Sequence, residues 1–363
     1  MLLRAALAAL FVSSAIVHGA HAQEKVLNVY NWTDYIDPAA LERFKKETGI
    51  EVHYDVYDSL ETLEGKMLAG HSGYDVIVPT AEPTFSRLIA AGALQPLDRG
   101  KIPAMAGEDP ALLKRVETSD PGNKYGAIYL WGTIGLGEVA SKIKPLMADA
   151  PLDSWDLLLK PENAKKLAPC GITMMDSATD VIPSVLKYLH HDPASTDPKD
   201  LADVEKTLMA IRPYIRTFAS GGAIEALAAG QTCLVMSYSG DVIQASARAA
   251  EAKRDAVTYV APKEFTQLWF DMLAVPKDAP HAALAMQFIN FILQPGTIAG
   301  VTNTVHYPNA VPASRDKVDP AVRDDPNVYP DAAALGRSFT VAAVKEAAVR
   351  ARTRMWAKFK AGH

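Results

Sequence analysis

The chain of 363 residues predicts an α/β protein of two lobes, each a mostly parallel sheet flanked by helices. Residues 26–92 alternate strand and helix patterns, which is how a parallel sheet covered on both faces reads in sequence. A second series of the same kind follows residue 126. The length also exceeds one ordinary domain, which holds about 100 to 200 residues.

The first residues, MLLRAALAALFVSSAIVHGAHA, set one positive charge, Arg4, ahead of an apolar run and end in small residues around Ala20 and Ala22. That layout predicts a cleaved export signal over 1–22, and Gln23 after the expected cut offers no cysteine for a lipid. No later run reaches the ~20 apolar residues of a membrane span. Val26–Tyr30 reads as a strand, and Asp37 and Pro38 then cap and open a helix that Gly49 ends. Asp34 is spare, because Asp37 is the better cap. Ile50, Val52, Tyr54 and Val56 alternate like a half-buried strand. Ser59 opens a second helix with Leu60, Leu63 and Met67 on one face, closing at Gly70. YDVIVP (74–79) predicts a third strand and TFSRLIAAG (84–92) a third helix. Ligands of such sheets bind beyond the carboxyl ends of the strands, which puts Trp32, Asp34 and Thr80 at a candidate site.

Gly126, Gly132, Gly135 and Gly137 suit a segment passing between lobes. After it, GITMMDSATD leads into VIPSVLKYLHH, and CLVMSYSGD into VIQASARAAEAK. Each strand is followed by a polar loop with an aspartate, Asp180 and Asp241. LWFDMLAVPKDA is an apolar strand interrupted by Asp271, and a charge in that setting must find a partner or bear a large desolvation cost. Residues 341–360 read as an amphipathic helix.

A composition of 49% hydrophobic and 22% charged residues fits a globular protein and excludes a disordered or fibrous one. The net charge of -5, or -6 without Arg4, comes with no basic stripe that could hold nucleic acid. In an oxidising compartment, Cys170 and Cys233 read more readily as a structural bridge than as a redox or metal site, with two separate buried thiols as the alternative. Ser237 and Ser239 lack a nucleophile elbow, His190 and His191 lack metal-ligand spacing, and SGGAIEALAAG lacks the lysine of a phosphate loop. No catalytic residue, metal or cofactor is expected.

Taken together, LNVYNWTDYIDP, KETGIEVHYDVYDS, GYDVIVP, DSWDLLLKPEN, YSGDVIQASARAAEAK and RMWAKFKAG make the chain resemble the periplasmic polyamine receptors of ABC importers, most closely those for putrescine. The resemblance spans the mature chain. It implies a two-lobed periplasmic solute-binding clamp, with an N-terminal lobe of residues 23–128 plus 248–298 and a C-terminal lobe of residues 129–247 plus 299–363. A soluble periplasmic monomer that carries a polyamine to an inner-membrane ABC permease is the implied role. The family's ligand contacts fall on Trp32, Thr33, Asp34, Tyr35, Thr80, Asp180, Tyr238, Asp241, Trp269, Asp271 and Tyr307. A diamine has a cation at each end of an apolar chain, so carboxylates at the poles and aromatic walls between them fit it.

Some positions depart from the family's usual residues. Thr33 and Thr80 replace serines, Asp180 stands where glutamate is frequent, and Phe265 where glycine is usual. If the bulk of Phe265 faces the cleft, putrescine is favoured over spermidine. The same fold also serves receptors for spermidine, cadaverine or agmatine, and ligand-sensing partners of signalling receptors. It serves thiaminase-like enzymes too, which use a cleft cysteine that a Cys170–Cys233 bridge would exclude.

Overall fold

The computed structural model describes residues 25–219 and 223–362, so the export signal expected over 1–22 lies outside the described residues. Among those residues ten strands make one sheet: β1 (Val26–Trp32), β2 (Glu51–Tyr57), β3 (Val76–Ile77), β4 (Gly126–Glu138), β5 (Ile172–Met174), β6 (Thr217–Phe218), β7 (Leu234–Tyr238), β8 (Thr258–Val260), β9 (Gln267–Ala274) and β10 (Phe339–Thr340). The main order is β2-β1-β3-β9-β4-β7-β5-β6, with β10 beside β9 and β8 beside β4.

Both flanks are parallel, as the alternating pattern predicts: β2, β1 and β3 on one side, and β7, β5 and β6 on the other. The middle is antiparallel. β9 runs against both β3 and β4, and β4 runs against β7. Sequence pattern alone missed this, because a fully buried strand reads as an apolar run in either direction.

The first helix, Pro38–Thr48, begins as expected: the Asp37 side chain accepts from the Ala39 N–H, and Gly49 closes it with φ of 70°. Its Phe44 ring meets Phe288 at 5.2 Å. Ser59 caps Leu60–Ala69 by accepting from the Thr62 N–H. The third strand shrinks to Val76–Ile77, and the third helix to Ser86–Ala90, behind an irregular turn over Ala81–Phe85. The C-terminal helix, Glu346–Ala361, buries Met355, Trp356 and Phe359.

β4 is the long spine of the molecule, and all 13 of its residues are buried. Residues Gly126–Ile134 pair with β9, and Ile134–Glu138 pair with β7. The segment does pass from one half of the sheet to the other, but as rigid strand rather than flexible linker. β8 pairs with Leu136–Glu138, on the β7 side. The helix Pro295–Val305 spans residues 298 and 299.

Cys170 and Cys233 are bonded, with their Cα atoms 5.5 Å apart. They sit just before β5 and β7, which are parallel neighbours. A bridge closing a span of 63 residues removes much unfolded-chain entropy. Thiol titration of unfolded, unreduced protein is expected to find no free thiol. Reduction is expected to lower stability against urea by about 2–4 kcal/mol, and an unchanged urea midpoint would contradict this.

Candidate ligand-binding cleft

The carboxyl ends of β1, β2 and β7 and the turn after β3 converge on a cavity of about 370 Å³. All eleven residues singled out from sequence border it. Trp32, Thr33, Asp34 and Tyr35 come from the end of β1. Thr80 follows β3, and Tyr238 ends β7. Trp269 and Asp271 project from β9, while Tyr307 follows the helix Pro295–Val305.

Asp180 and Asp241 lie in the first turns of the helices Ala178–Tyr188 and Ser239–Glu251, rather than in loops. Neither caps its helix. Asp241 Oδ1 accepts a hydrogen bond from the Tyr307 hydroxyl at 2.6 Å. Asp180 accepts three: from Ser177 Oγ at 2.6 Å, Tyr238 OH at 2.9 Å and Gln267 Nε2 at 2.8 Å. Asp271, 4% exposed, accepts from Thr80 Oγ1 at 2.6 Å.

Eight carboxylates border the cavity: Asp34, Asp58, Glu61, Glu82, Asp176, Asp180, Asp241 and Asp271. No lysine, arginine or histidine among the described residues joins them. Two are answered by cations from outside the lining: Asp176 by Lys360 of the C-terminal helix at 2.7 Å, and Asp34 by Arg248 at 3.8 Å. Burial pushes the Asp271 carboxyl up to about 7, against hydrogen bonds that favour its charged form. Burial likewise raises Asp241 to about 6, with Asp34 adding to the effect. Asp180 is raised too, again chiefly by burial.

Rings wall the space between the acids. Trp269 meets Tyr307 edge-on at 5.0 Å and Tyr238 at 5.6 Å, and Tyr307 meets Tyr35 at 5.6 Å. Opposite edges of an aromatic pair prefer this T-shape. Trp32 packs on Tyr57 at 4.6 Å, and both donate to the Val78 carbonyl, at 3.1 and 2.6 Å. Gly132 lies opposite Trp269 across β4 and β9. A Cβ there would stand 2.5 Å from Trp269 Cζ2 and 3.1 Å from Tyr307, so only glycine admits this wall.

Phe265 does not border the cavity. Its ring stacks on Trp155 at 5.6 Å and meets Phe339 at 5.8 Å, buried in the same core cluster as Trp269 but away from the cleft. The expectation that its bulk narrows the cleft is overturned. Sequence reasoning also missed Tyr57, Asp58, Glu61, Glu82, Asp176 and Ser177, which border the cavity. Tyr57 ends β2 and Asp58 follows it, so the strand-end rule that found Trp32 would have found them. Glu82 follows β3 through a turn that no local pattern announced.

A sheet with parallel flanks, a shared antiparallel centre and a cleft at the strand ends defines a solute-binding protein. The family model for bacterial extracellular solute-binding proteins matches residues 39–330, and the chain belongs to that family. It is 45% identical to the putrescine-binding periplasmic protein SpuD of Pseudomonas aeruginosa, covering 94% of this chain and 93% of that one. It is 43% identical to the putrescine-binding periplasmic protein PotF of Escherichia coli, with the same coverage. Among solved structures, the spermidine/putrescine ABC transporter substrate-binding protein PotD of Streptococcus pneumoniae superposes with a TM-score of 0.76 at 27% identity, over 93% of this chain and 99% of that one. The fold and the export class expected from sequence stand. So does the bridge, which takes both cysteines and leaves the thiaminase-like reading without a thiol.

Replacing Gly132 by alanine is expected to displace Trp269 and cost about 1–3 kcal/mol of stability, as overpacking does. Chemical denaturation followed by tryptophan fluorescence checks both effects. An alanine variant with native emission and native stability would refute the close-packing role.

Proposed function

We propose that this protein is a periplasmic receptor that binds putrescine in the cleft and delivers it to an ABC importer. The observation that carries the proposal is the set of eight carboxylates that line the cavity with no lysine, arginine or histidine beside them among the described residues, together with its aromatic walls. Such a cavity repels anions and leaves its acids poorly solvated. A dication relieves both costs. An ammonium ~4 Å from a carboxylate gains about 4 kcal/mol at an effective dielectric near 20, and much of this is offset by desolvation. The faces of Trp32, Tyr238 and Trp269 supply the surplus, at about 0.5–2 kcal/mol for each cation–π contact.

In this reading Asp241 and Asp271 neutralise the two ends of the ligand, Asp180 stands at the Asp271 end, and the remaining predicted residues line its path. The two halves of the sheet act as lobes, joined through β4 and β9. Closure is a population shift, driven only as far as the ligand binds the closed form better than the open one. The closed form then docks on a membrane permease. The relatives named above support the ligand and the transport role, and as binding proteins they support a non-enzymatic one. Spermidine is the second reading, because the acidic lining exceeds what two cations need and Phe265 no longer argues against a longer chain.

Replacing Asp241 or Asp271 by asparagine is expected to weaken putrescine binding by about 2–5 kcal/mol, since each change strips one partner from a buried charge pair. Calorimetry that shows native affinity in both variants would sink the assignment.

The pH dependence has a definite sign. Asp241 and Asp271 hold protons up to about 6 and about 7 when the cavity is empty, far above the ordinary carboxylate value. Their protonated forms stabilise the free protein at low pH, and that contribution fades as pH rises through those values. A cationic ligand binds the ionised forms. Putrescine affinity and putrescine-induced thermal stabilisation should therefore both be larger at pH 8 than at pH 5.5. Equal thermal shifts at the two pH values would count against this coupling.

A further inference from the structure

We propose that Ser177 is a specificity-determining residue: it closes the Asp180 end of the cleft to the two-pronged grip of a guanidinium while leaving it open to an ammonium. The inference rests on the polyamine reading above and deepens it. Ser177 was not singled out from sequence, and it borders the cavity. It stands in extended conformation at the cap position of the helix Ala178–Tyr188, yet makes no side-chain cap bond. Serine at such a position ordinarily accepts from the first-turn N–H groups. Here the hydroxyl is diverted to Asp180 Oδ2, to which it donates at 2.6 Å, and Thr179 Oγ1 stands 3.0 Å behind it.

The consequence follows from lone pairs. Each carboxylate oxygen offers about two acceptor sites. Asp180 Oδ2 takes Ser177 Oγ and also Tyr238 OH at 2.9 Å, so it is full. Asp180 Oδ1 takes Gln267 Nε2 at 2.8 Å and keeps one site. A guanidinium pairs with a carboxylate through parallel N–H groups, one on each oxygen. Asp180 cannot supply that geometry. An ammonium needs one N–H on one oxygen, and Oδ1 can take it. Asp241 differs, because Tyr307 donates to Oδ1 and Oδ2 accepts no hydrogen bond among the described residues. A ligand with an ammonium at both ends can lie in the cleft either way round. One with a guanidinium at one end and an ammonium at the other keeps only the orientation that turns the guanidinium from Asp180.

Replacing Ser177 by alanine frees one site on Oδ2 and restores the fork. No cap is lost. The test is the ratio of agmatine to putrescine dissociation constants, measured by calorimetry for wild type, Ser177→Ala and Ser177→Thr. Agmatine is expected to gain about tenfold on putrescine in the alanine variant, the scale of one charge-assisted hydrogen bond. The ratio carries the test rather than either affinity alone, because removing a hydrogen bond from Asp180 alters how it receives both amines. The threonine variant, which retains the hydroxyl, should keep the wild-type ratio. An unchanged ratio in Ser177→Ala overturns the proposal, as does an equal shift in Ser177→Thr, which would show that the hydroxyl is not the cause. Wild-type protein that binds neither amine would instead overturn the polyamine reading on which the inference stands.

Discussion

Acidic side chains crowded into a cleft that no described lysine, arginine or histidine lines are the constraint on which the rest of this structure depends. Asp271 is the extreme case, a carboxylate 4% exposed in the middle of a buried strand. A buried ion answered only by hydroxyl groups is costly, and the usual response is to hold a proton. The raised values of Asp271 and Asp241 express that cost. An empty cleft of this kind is a site held away from electrostatic balance, and a small polycation restores the balance.

The architecture can be understood as the means of holding that arrangement. β9 must carry Trp269 and Asp271 into the cleft from the centre of the sheet, and it does so with β4 against it along most of its length. Gly132 leaves the room that Trp269 and Tyr307 occupy. At the rim, Lys360 and Trp356 of the C-terminal helix fix Asp176, at 2.7 and 3.0 Å, so one lining acid is settled by the fold itself. Asp180 is answered in part, by three neutral donors, and keeps one acceptor site on Oδ1. The acids thus divide into those already answered by the protein and those, Asp241 and Asp271 above all, that keep accepting capacity for a ligand.

Much of this was legible in the amino-acid order, and for identifiable reasons. Asp37 with Pro38, Ser59 and the closing glycines mark helix ends through local chemistry that the tertiary structure has no cause to override. Asp271 announced itself because a charge inside an apolar strand has few uses. The strand-end rule found Trp32 and Thr80 but was not applied to β2, which left out Tyr57 and Asp58. Strand direction stayed hidden because burial on both faces erases the alternation that would reveal it. Phe265 misled because closeness to Trp269 in sequence was treated as closeness in space. Four residues of extended chain span about 13 Å, enough to carry a side chain from the cleft into the core on the same side of the sheet. The role of Ser177 was beyond reach from sequence, since a serine before a helix is ordinarily a cap and only the coordinates show its hydroxyl turned toward Asp180.

The central claim concerns the ionisation of the cleft, and carboxyl carbon chemical shifts report it residue by residue. Titrating the mature protein by carbon-13 NMR, with Asp241 and Asp271 assigned through their asparagine variants, gives both values with and without putrescine. The account predicts midpoints near about 6 and about 7 in the free protein. With saturating putrescine, both should fall toward or below the ordinary aspartate value of about 3.9. Ordinary values in the free protein, or raised values that do not move when putrescine binds, would contradict it.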